Sequence, residues 1–321
     1  MVSSFTRRAT LAWRLTRVDE FLAFVLVTTF FGFNVAGAFQ FSIPLVATLL
    51  GNLLAVAFAF MINDVEDADD DARDAKKVHR NPISAGHVAP RTAYIACFLV
   101  AMGSAAFYAV AGWRPFVLGV LCLLLGLLYS WRAVRLKAIP GADLASHVLL
   151  LAALQFLCAY FTFDVSGWRW LLPCGFVIAV SLYGQLFNQL RDLECDRQAG
   201  FVNTVGLAGE RFAHLLVYGM IVLALALLVA CVALGIVPVR VMVVAFVLAP
   251  FVLIRQLRQS DSRRFPGDTT GPFQEPALII GVAVSYTHPP AHETVLDLVC
   301  RLLLEKKKTK IPHDSRDLMT S

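Results

Sequence analysis

The chain is short of charge. Only 16% of its 321 residues are Asp, Glu, Lys or Arg and 58% are hydrophobic, against roughly 25% charged residues in a soluble domain. That deficit excludes an ordinary soluble fold and marks an integral membrane protein. Cysteine pairing is missing as well. The seven cysteines, at 97, 122, 158, 174, 195, 231 and 300, include no C-x-x-C pair and lie mostly in apolar stretches, so they read as small core residues. Histidines are scattered. His79, His87 and His147 stand alone, and no imidazole metal cluster is legible. Aromatic content is a modest 11%; Phe30, Phe31, Phe33, Phe156, Phe161 and Phe163 read as packing or lipid-facing residues, or as the lining of a cavity for an apolar chain.

What is present is a series of long apolar runs. Stretches able to cross a bilayer, about 20 residues each, fall near 21–38, 43–62, 92–111, 115–130, 143–163, 170–190, 212–234 and 237–254, and a ninth begins near Pro276 and stops short. The fold class expected is an all-α integral membrane bundle, eight complete spans plus a truncated ninth around a central cavity, in two similar halves. Lys and Arg give an independent check, because correctly alternating spans collect them on the cytoplasmic side. Residues 1–20, 64–91, 131–141, 191–211 and 255–274 together hold 19 of them, and the opposite connections 39–42, 112–114, 164–169 and 235–240 hold 3. The N-terminus is therefore expected in the cytoplasm, in a bacterial or archaeal plasma membrane. Topology accounts for the net charge of +5, and no nucleic-acid partner is called for.

The first span follows Arg7, Arg8, Arg14 and Arg17, but it is too long for a signal peptide and no cleavage site follows, so it reads as retained. Three regions result: a cytoplasmic segment 1–20, a transmembrane domain 21–284, and an atypical tail 285–321. The tail breaks the hydrophobic pattern and reads as foreign to the domain or disordered, and no function is drawn from it.

The carboxylates concentrate in one recurring pattern, Asn-x-x-x-Asp-x-x-x-Asp. It occurs as Asn63/Asp67/Asp71 and again as Asn188/Asp192/Asp196, each where an apolar run meets a charged loop. On a helix, residues four apart differ by about 40° in azimuth, so each trio forms a short oxygen-rich strip. The first copy alone is weak evidence, since residues 63–74 are dense in acid and a solvated helix end would look the same. The second copy has no such background, and the chain holds only six asparagines. Amide and carboxylate oxygens are hard ligands suited to Mg²⁺, which keeps some waters and is commonly shared with substrate phosphates. Cys195 lies between two motif acids, but a soft thiolate is a poor Mg²⁺ ligand.

Each motif precedes a polar, glycine-containing loop suited to covering a site. Lys76-Lys77-Val78-His79-Arg80-Asn81-Pro82-Ile83-Ser84-Ala85-Gly86 follows the first, and Arg197-Gln198-Ala199-Gly200-Phe201-Val202-Asn203-Thr204-Val205-Gly206 the second. The 125-residue offset between the trios suggests parallel halves whose motif loops meet across a central axis. A third loop on the same side, Tyr129-Ser130-Trp131-Arg132-Ala133-Val134-Arg135-Leu136-Lys137, supplies guanidinium forks and an ammonium of the kind a diphosphate needs. Lys77, Arg80, Arg135 and Lys137 are the candidate cations; the plain alternative is positive-inside anchoring.

With these motifs in view, residues 20–284 resemble the UbiA superfamily of intramembrane prenyltransferases. The resemblance rests on Asn63/Asp67/Asp71 followed by Arg80 to Gly86, on Tyr129-Ser130 with Arg135-Leu136-Lys137, and on Asp192/Asp196 with Gly200 and Thr204. It implies nine helices around a cavity that opens sideways to lipid. It also implies two acidic motifs (Asn63, Asp67, Asp71, Asn188, Asp192, Asp196) holding Mg²⁺ and a prenyl diphosphate, with Tyr129 joining the cations around the diphosphate. The chain departs from the pattern at Trp131-Arg132-Ala133, where many members carry a proline pair, and in its shortened ninth helix.

The reaction so implied is transfer of a polyprenyl group to an aromatic or lipid acceptor with release of diphosphate. Asp67, Asp71, Asp192 and Asp196 serve the metal–diphosphate complex, and an apolar cavity keeps water from the prenyl cation. Acceptors across the superfamily include quinone-ring precursors, chlorophyll or haem precursors, glycerol ethers and carotenoids, and the motifs here belong to the shared diphosphate half. Asp70-Asp71-Ala72-Arg73-Asp74 also fits the letters of a terpene-synthase site, which keeps an intramembrane terpene cyclase as an alternative. A cation- or proton-coupled transporter is the other, but its carboxylates belong near the middle of the bilayer, and these lie at span ends.

Overall fold

A computed structural model describes residues 11–37, 41–73, 78–163, 165–198 and 202–239, with the backbone alone at 195, 196 and 198. Every regular element among the described residues is helical. Seven helices are long and apolar enough to cross a membrane: α1 Val18–Ala36, α2 Ile43–Glu66, α3 Pro90–Ala111, α4 Trp113–Ser130, α5 Ala142–Tyr160, α6 Leu171–Gln198 and α7 Glu210–Ala233. They coincide with the first seven expected spans. The expected eighth, at 237–254, has only its first three residues within the described part, and the shortened ninth and the tail lie outside it.

The sequence punctuates these helices legibly. Ser42 caps α2 by accepting from Leu45 N–H, and Pro44 sits in its first turn, where a missing N–H costs nothing. Gly37 closes α1 at φ 69°, a left-handed position that favours glycine. Gly112, at φ 133°, is the whole connection between α3 and α4. One turn of π-helix at Leu149–Ala153 interrupts α5.

Large apolar side chains such as Phe98, Leu99, Leu121, Leu124, Leu215, Val222 and Leu225 are exposed along α3, α4 and α7. Apolar surface of that extent faces lipid, and the protein is integral to the membrane. All five tryptophans, Trp13, Trp113, Trp131, Trp168 and Trp170, sit within a few residues of a helix end, where interfacial aromatics belong.

The helix most enclosed is α2, which packs against α1, α3, α4 and α5. Its fully buried Asn52 ties three of these neighbours to it. Asn52 Nδ2 donates to Thr29 Oγ1 at 2.8 Å and to the Gln155 carbonyl at 3.0 Å, while Tyr108 OH donates to Asn52 Oδ1 at 2.7 Å. Each such bond is worth up to about 2 kcal/mol in a membrane. The Tyr108 ring lies in a slot between Gly51 and Gly119. Phe30, Phe31, Phe33, Phe156, Phe161 and Phe163 join Tyr160 and Trp170 in aromatic contacts at the far ends of α1 and α5, away from the acidic motifs.

The two motif regions repeat one plan. The first motif ends α2 and its loop leads to α3; the second ends α6 and its loop leads to α7. In each case the two helices flanking the loop form an extensive antiparallel contact.

A Cβ added at Gly119 would fall 2.1 Å from the Tyr108 ring, whereas one added at Gly103 would meet Leu54 at an ordinary 3.5 Å. Gly119→Ala is therefore expected to destabilise the detergent-solubilised protein by about 1–3 kcal/mol, and Gly103→Ala to be neutral or stabilising by up to about 1 kcal/mol. Thermal unfolding of the two variants beside the parent checks the contrast.

Candidate active site

The first motif stands at the break where α2 ends. Asp67 caps that helix and a separate turn, Ala68–Asp71, follows. The trio is thus not on one continuous helix, as its spacing predicts, but the i to i+4 bonds survive the break. Asp67 N–H reaches the Asn63 carbonyl at 3.0 Å and Asp71 N–H the Asp67 carbonyl at 2.8 Å, so the three residues still follow one another at one-turn spacing.

Two cations from the α4–α5 connection sit on this strip. Lys137 Nζ donates to Asn63 Oδ1 at 2.8 Å and pairs with Asp67 Oδ2. Arg135 bridges Asp67 Oδ1 at 3.2 Å and Asp70 at 3.0 Å from a left-handed backbone, φ 47°. That conformation is uncommon for a non-glycine residue and costs on the order of 1–3 kcal/mol. Burial lowers the pKa of the Lys137 ammonium, against the opposing pull of Asp67. The Asp70 carboxyl is held low chiefly by its bond from Arg135.

Residues that sequence reasoning left aside hold this loop in place. Glu66 accepts from Arg132 N–H at 3.0 Å and from Tyr94 OH at 3.0 Å, while Arg132 Nε reaches the Glu66 carbonyl at 2.8 Å. A proline at 132 would have no N–H for the first bond. The departure at Trp131-Arg132-Ala133 is therefore an anchor, legible only once α2 and this loop are seen side by side. Asn81 does the same for the loop after the first motif, donating to the Asp64 carbonyl at 2.7 Å and to Asp71 Oδ2 at 3.0 Å.

Among the remaining candidates, Arg80 pairs with Glu20 at 2.6 Å rather than with the motif. Glu20 also holds Arg17, which reaches Asp64 at 3.1 Å and lies over the Phe60 ring. Tyr129 lies in the last turn of α4, half-buried, within electrostatic reach of both Asp67 and Asp143. Lys77 lies outside the described residues.

The second motif lies wholly within α6, which continues to Gln198. Asp192 is half-exposed and meets Arg191 at 3.3 Å; Asp196 is described by its backbone alone. The segment 135–143 links the two motifs. Its beginning touches Asp67, and its end touches the second motif's helix and loop, through Gly141 N–H to Thr204 Oγ1 at 2.7 Å and Asp143 to Gln189 at 2.7 Å. Both motifs thus belong to one end of the bundle.

The donor set fits a hard divalent cation, since Asn63 and Asp67 already converge their oxygens on one cationic centre, the Lys137 ammonium. Among the described residues no three His, Cys, Asp or Glu side chains make a complete metal cage.

A model of the UbiA prenyltransferase family matches residues 25–268. The chain belongs to that family. Among solved structures it is similar to a UbiA homolog from Archaeoglobus fulgidus bound to GPP and Mg²⁺, at 23% identity over 85% of this chain and 99% of that one, TM-score 0.67. A UbiA homolog from Aeropyrum pernix K1 matches at 20% identity, 82% and 95% coverage and TM-score 0.61. A structure described as digeranylgeranylglyceryl phosphate synthase in membranes matches at 15% identity, 92% and 96% coverage and TM-score 0.58. These likenesses establish the UbiA fold. No curated protein sequence matches.

If Glu66 anchors the loop that carries Arg135 and Lys137, Glu66→Ala should release it. Bonds to a charged group contribute about 1.5–3 kcal/mol each, so amide hydrogen exchange across 131–138 should quicken by roughly tenfold or more. Unchanged exchange there would show that the loop holds its shape without Glu66.

Proposed function

We propose that this UbiA-family prenyltransferase moves a polyprenyl group from a prenyl diphosphate to a hydrophobic or aromatic acceptor, with Mg²⁺ as its metal. The observation that carries this reading is the convergence of Asn63 and Asp67 on the Lys137 ammonium, beside Arg135, at the end of the bundle where a second acidic strip also stands. Asn63, Asp67 and Asp71 would hold metal from one half, and Asn188, Asp192 and Asp196 from the other. When bound, Mg²⁺ neutralises diphosphate charge and stabilises it as a leaving group.

The chain's own cations do the rest. Arg135 and Lys137 take up charge as the allylic carbon–oxygen bond breaks, joined by Lys77 and, on exchanging its Glu20 partner for the diphosphate, by Arg80. Glu66 and Arg132 keep the loop of Arg135 and Lys137 aimed at the first strip. Exclusion of water by the surrounding apolar helices directs the prenyl cation to the acceptor rather than to hydrolysis. An apolar prenyl chain and a lipid-soluble acceptor both reach such a site from the bilayer, which is the reason to perform the reaction inside it.

Purified protein given labelled geranylgeranyl diphosphate and a lipid extract should form a labelled lipid with Mg²⁺ and none in EDTA. Asp67→Ala and Asp192→Ala should each lower the rate by about 10²-fold or more. Turnover persisting in EDTA, or near-parental rates in both variants, would refute the metal assignment.

The 19-to-3 bias in Lys and Arg supports a cytoplasmic placement of the acidic end. Cysteine placed at exposed His87 should resist an impermeant thiol reagent in intact cells and react after permeabilisation, while cysteine at exposed Ser166 should react in both, above the parent's background. The reverse pattern would invert the topology.

A further inference from the structure

Asp143 is 1% exposed at the start of α5 and is satisfied by four neutral donors. Its Oδ1 accepts from Thr204 Oγ1 and from Leu144 N–H at 2.8 Å; its Oδ2 accepts from Gln189 Nε2 at 2.7 Å and Thr204 N–H at 3.0 Å. Thr204 Oγ1 accepts from Gly141 N–H and donates its own hydrogen to Asp143. Gln189 Oε1 accepts from Val205 N–H at 3.2 Å, so its amide nitrogen faces Asp143. One carboxylate therefore joins three elements: the start of α5, the helix of the second motif and the loop that follows it.

Gln189 is the informative member. On an α-helix it lies about 100° from Asn188 and about 60° from Asp192. Pinning its side chain fixes the rotation of α6 about its own axis. At a side-chain radius of about 5–6 Å, a 20° rotation would swing Asp192 by about 2 Å, and misplacement by about 1 Å can cost 10²-fold in rate. Asp143 also lies only six residues beyond Lys137, which is held on the first strip.

We propose that Asp143 is a positioning residue. Through Gln189 and Thr204 it sets the second acidic strip in register with the first, so that both can engage one metal–diphosphate complex. The inference rests on the prenyl-diphosphate reading of the site.

The test uses Asp143→Asn, which keeps the shape but turns one of the two acceptor positions into a donor, set against Gln189 Nε2 and Thr204 N–H on one side or against Leu144 N–H on the other. Expected is a folded protein whose KM for prenyl diphosphate and half-saturating Mg²⁺ rise by about 10- to 100-fold, the range for partners that orient metal ligands. The thermal stabilisation that Mg²⁺ plus geranyl diphosphate gives the parent should shrink in step. Adding Gln189→Glu should recover part of the loss, because the new carboxylate accepts both from the amide introduced by Asp143→Asn and from Val205 N–H; Thr204 N–H loses its partner, so recovery is incomplete. Gln189→Glu alone sets two carboxylates face to face and should be worse than the pair.

Unchanged KM, metal requirement and thermal shift in Asp143→Asn would overturn the proposal, as would a loss confined to the yield of folded protein. If Asp143→Asn does not fold, Thr204→Val, which removes one donor to Asp143 and the acceptor of Gly141 N–H, carries the same test, and failure of both to fold would make the cluster a structural one and refute the proposal. A parent protein without any shift from Mg²⁺ and geranyl diphosphate would instead refute the underlying reading of the site.

Discussion

The polar end of this molecule is organised around the pairing of Asp67 with Lys137 and Arg135. A carboxylate at the end of a membrane helix needs compensation, and here both cations come from a connection more than sixty residues away in sequence. That one contact closes the α4–α5 connection over the end of α2. It sets Arg135 in an uncommon backbone conformation and calls for the Glu66 and Arg132 anchor that holds the loop in place. It also gathers oxygen and cationic nitrogen groups into one patch, the arrangement a metal–diphosphate ligand needs.

Lipid imposes the complementary rule on the rest of the bundle. Polar groups within the membrane must find partners inside the protein, and Asn52, Thr29, Tyr108 and the Gln155 backbone carbonyl do so across four helices. With that network and the glycine slot for Tyr108 holding the apolar part together, the charged end needs only local anchors. Asn81 and Asp143 are such anchors, one behind each motif.

Much of this was legible in the sequence, for identifiable reasons. Long apolar runs and the lopsided placement of Lys and Arg are properties of single segments, and the first seven spans lie where those runs predict. Asn63 and Asp67 announced themselves because their spacing recurs at 188 and 192. The anchors did not, because their meaning is pairwise. Glu66 looks like one more acid in an acidic stretch, Asp143 like a stray carboxylate at the edge of a span, and Gln189 like nothing in particular. Arg80 illustrates the converse. Its charge and position suggested a ligand to diphosphate, yet its nearest partner is Glu20, a residue sixty positions earlier that no local pattern connects to it.

The central claim is that the two acidic strips form one site for a metal–diphosphate complex. Anomalous scattering from crystals of the protein grown with Mn²⁺ and a non-hydrolysable geranyl diphosphate analogue addresses it directly. Manganese is expected at coordination distance from carboxylates of both strips, Asp67 on one side and Asp192 on the other, with the analogue's phosphates between them. Manganese bound to one strip alone, or absent from both while the analogue is bound elsewhere, would contradict it.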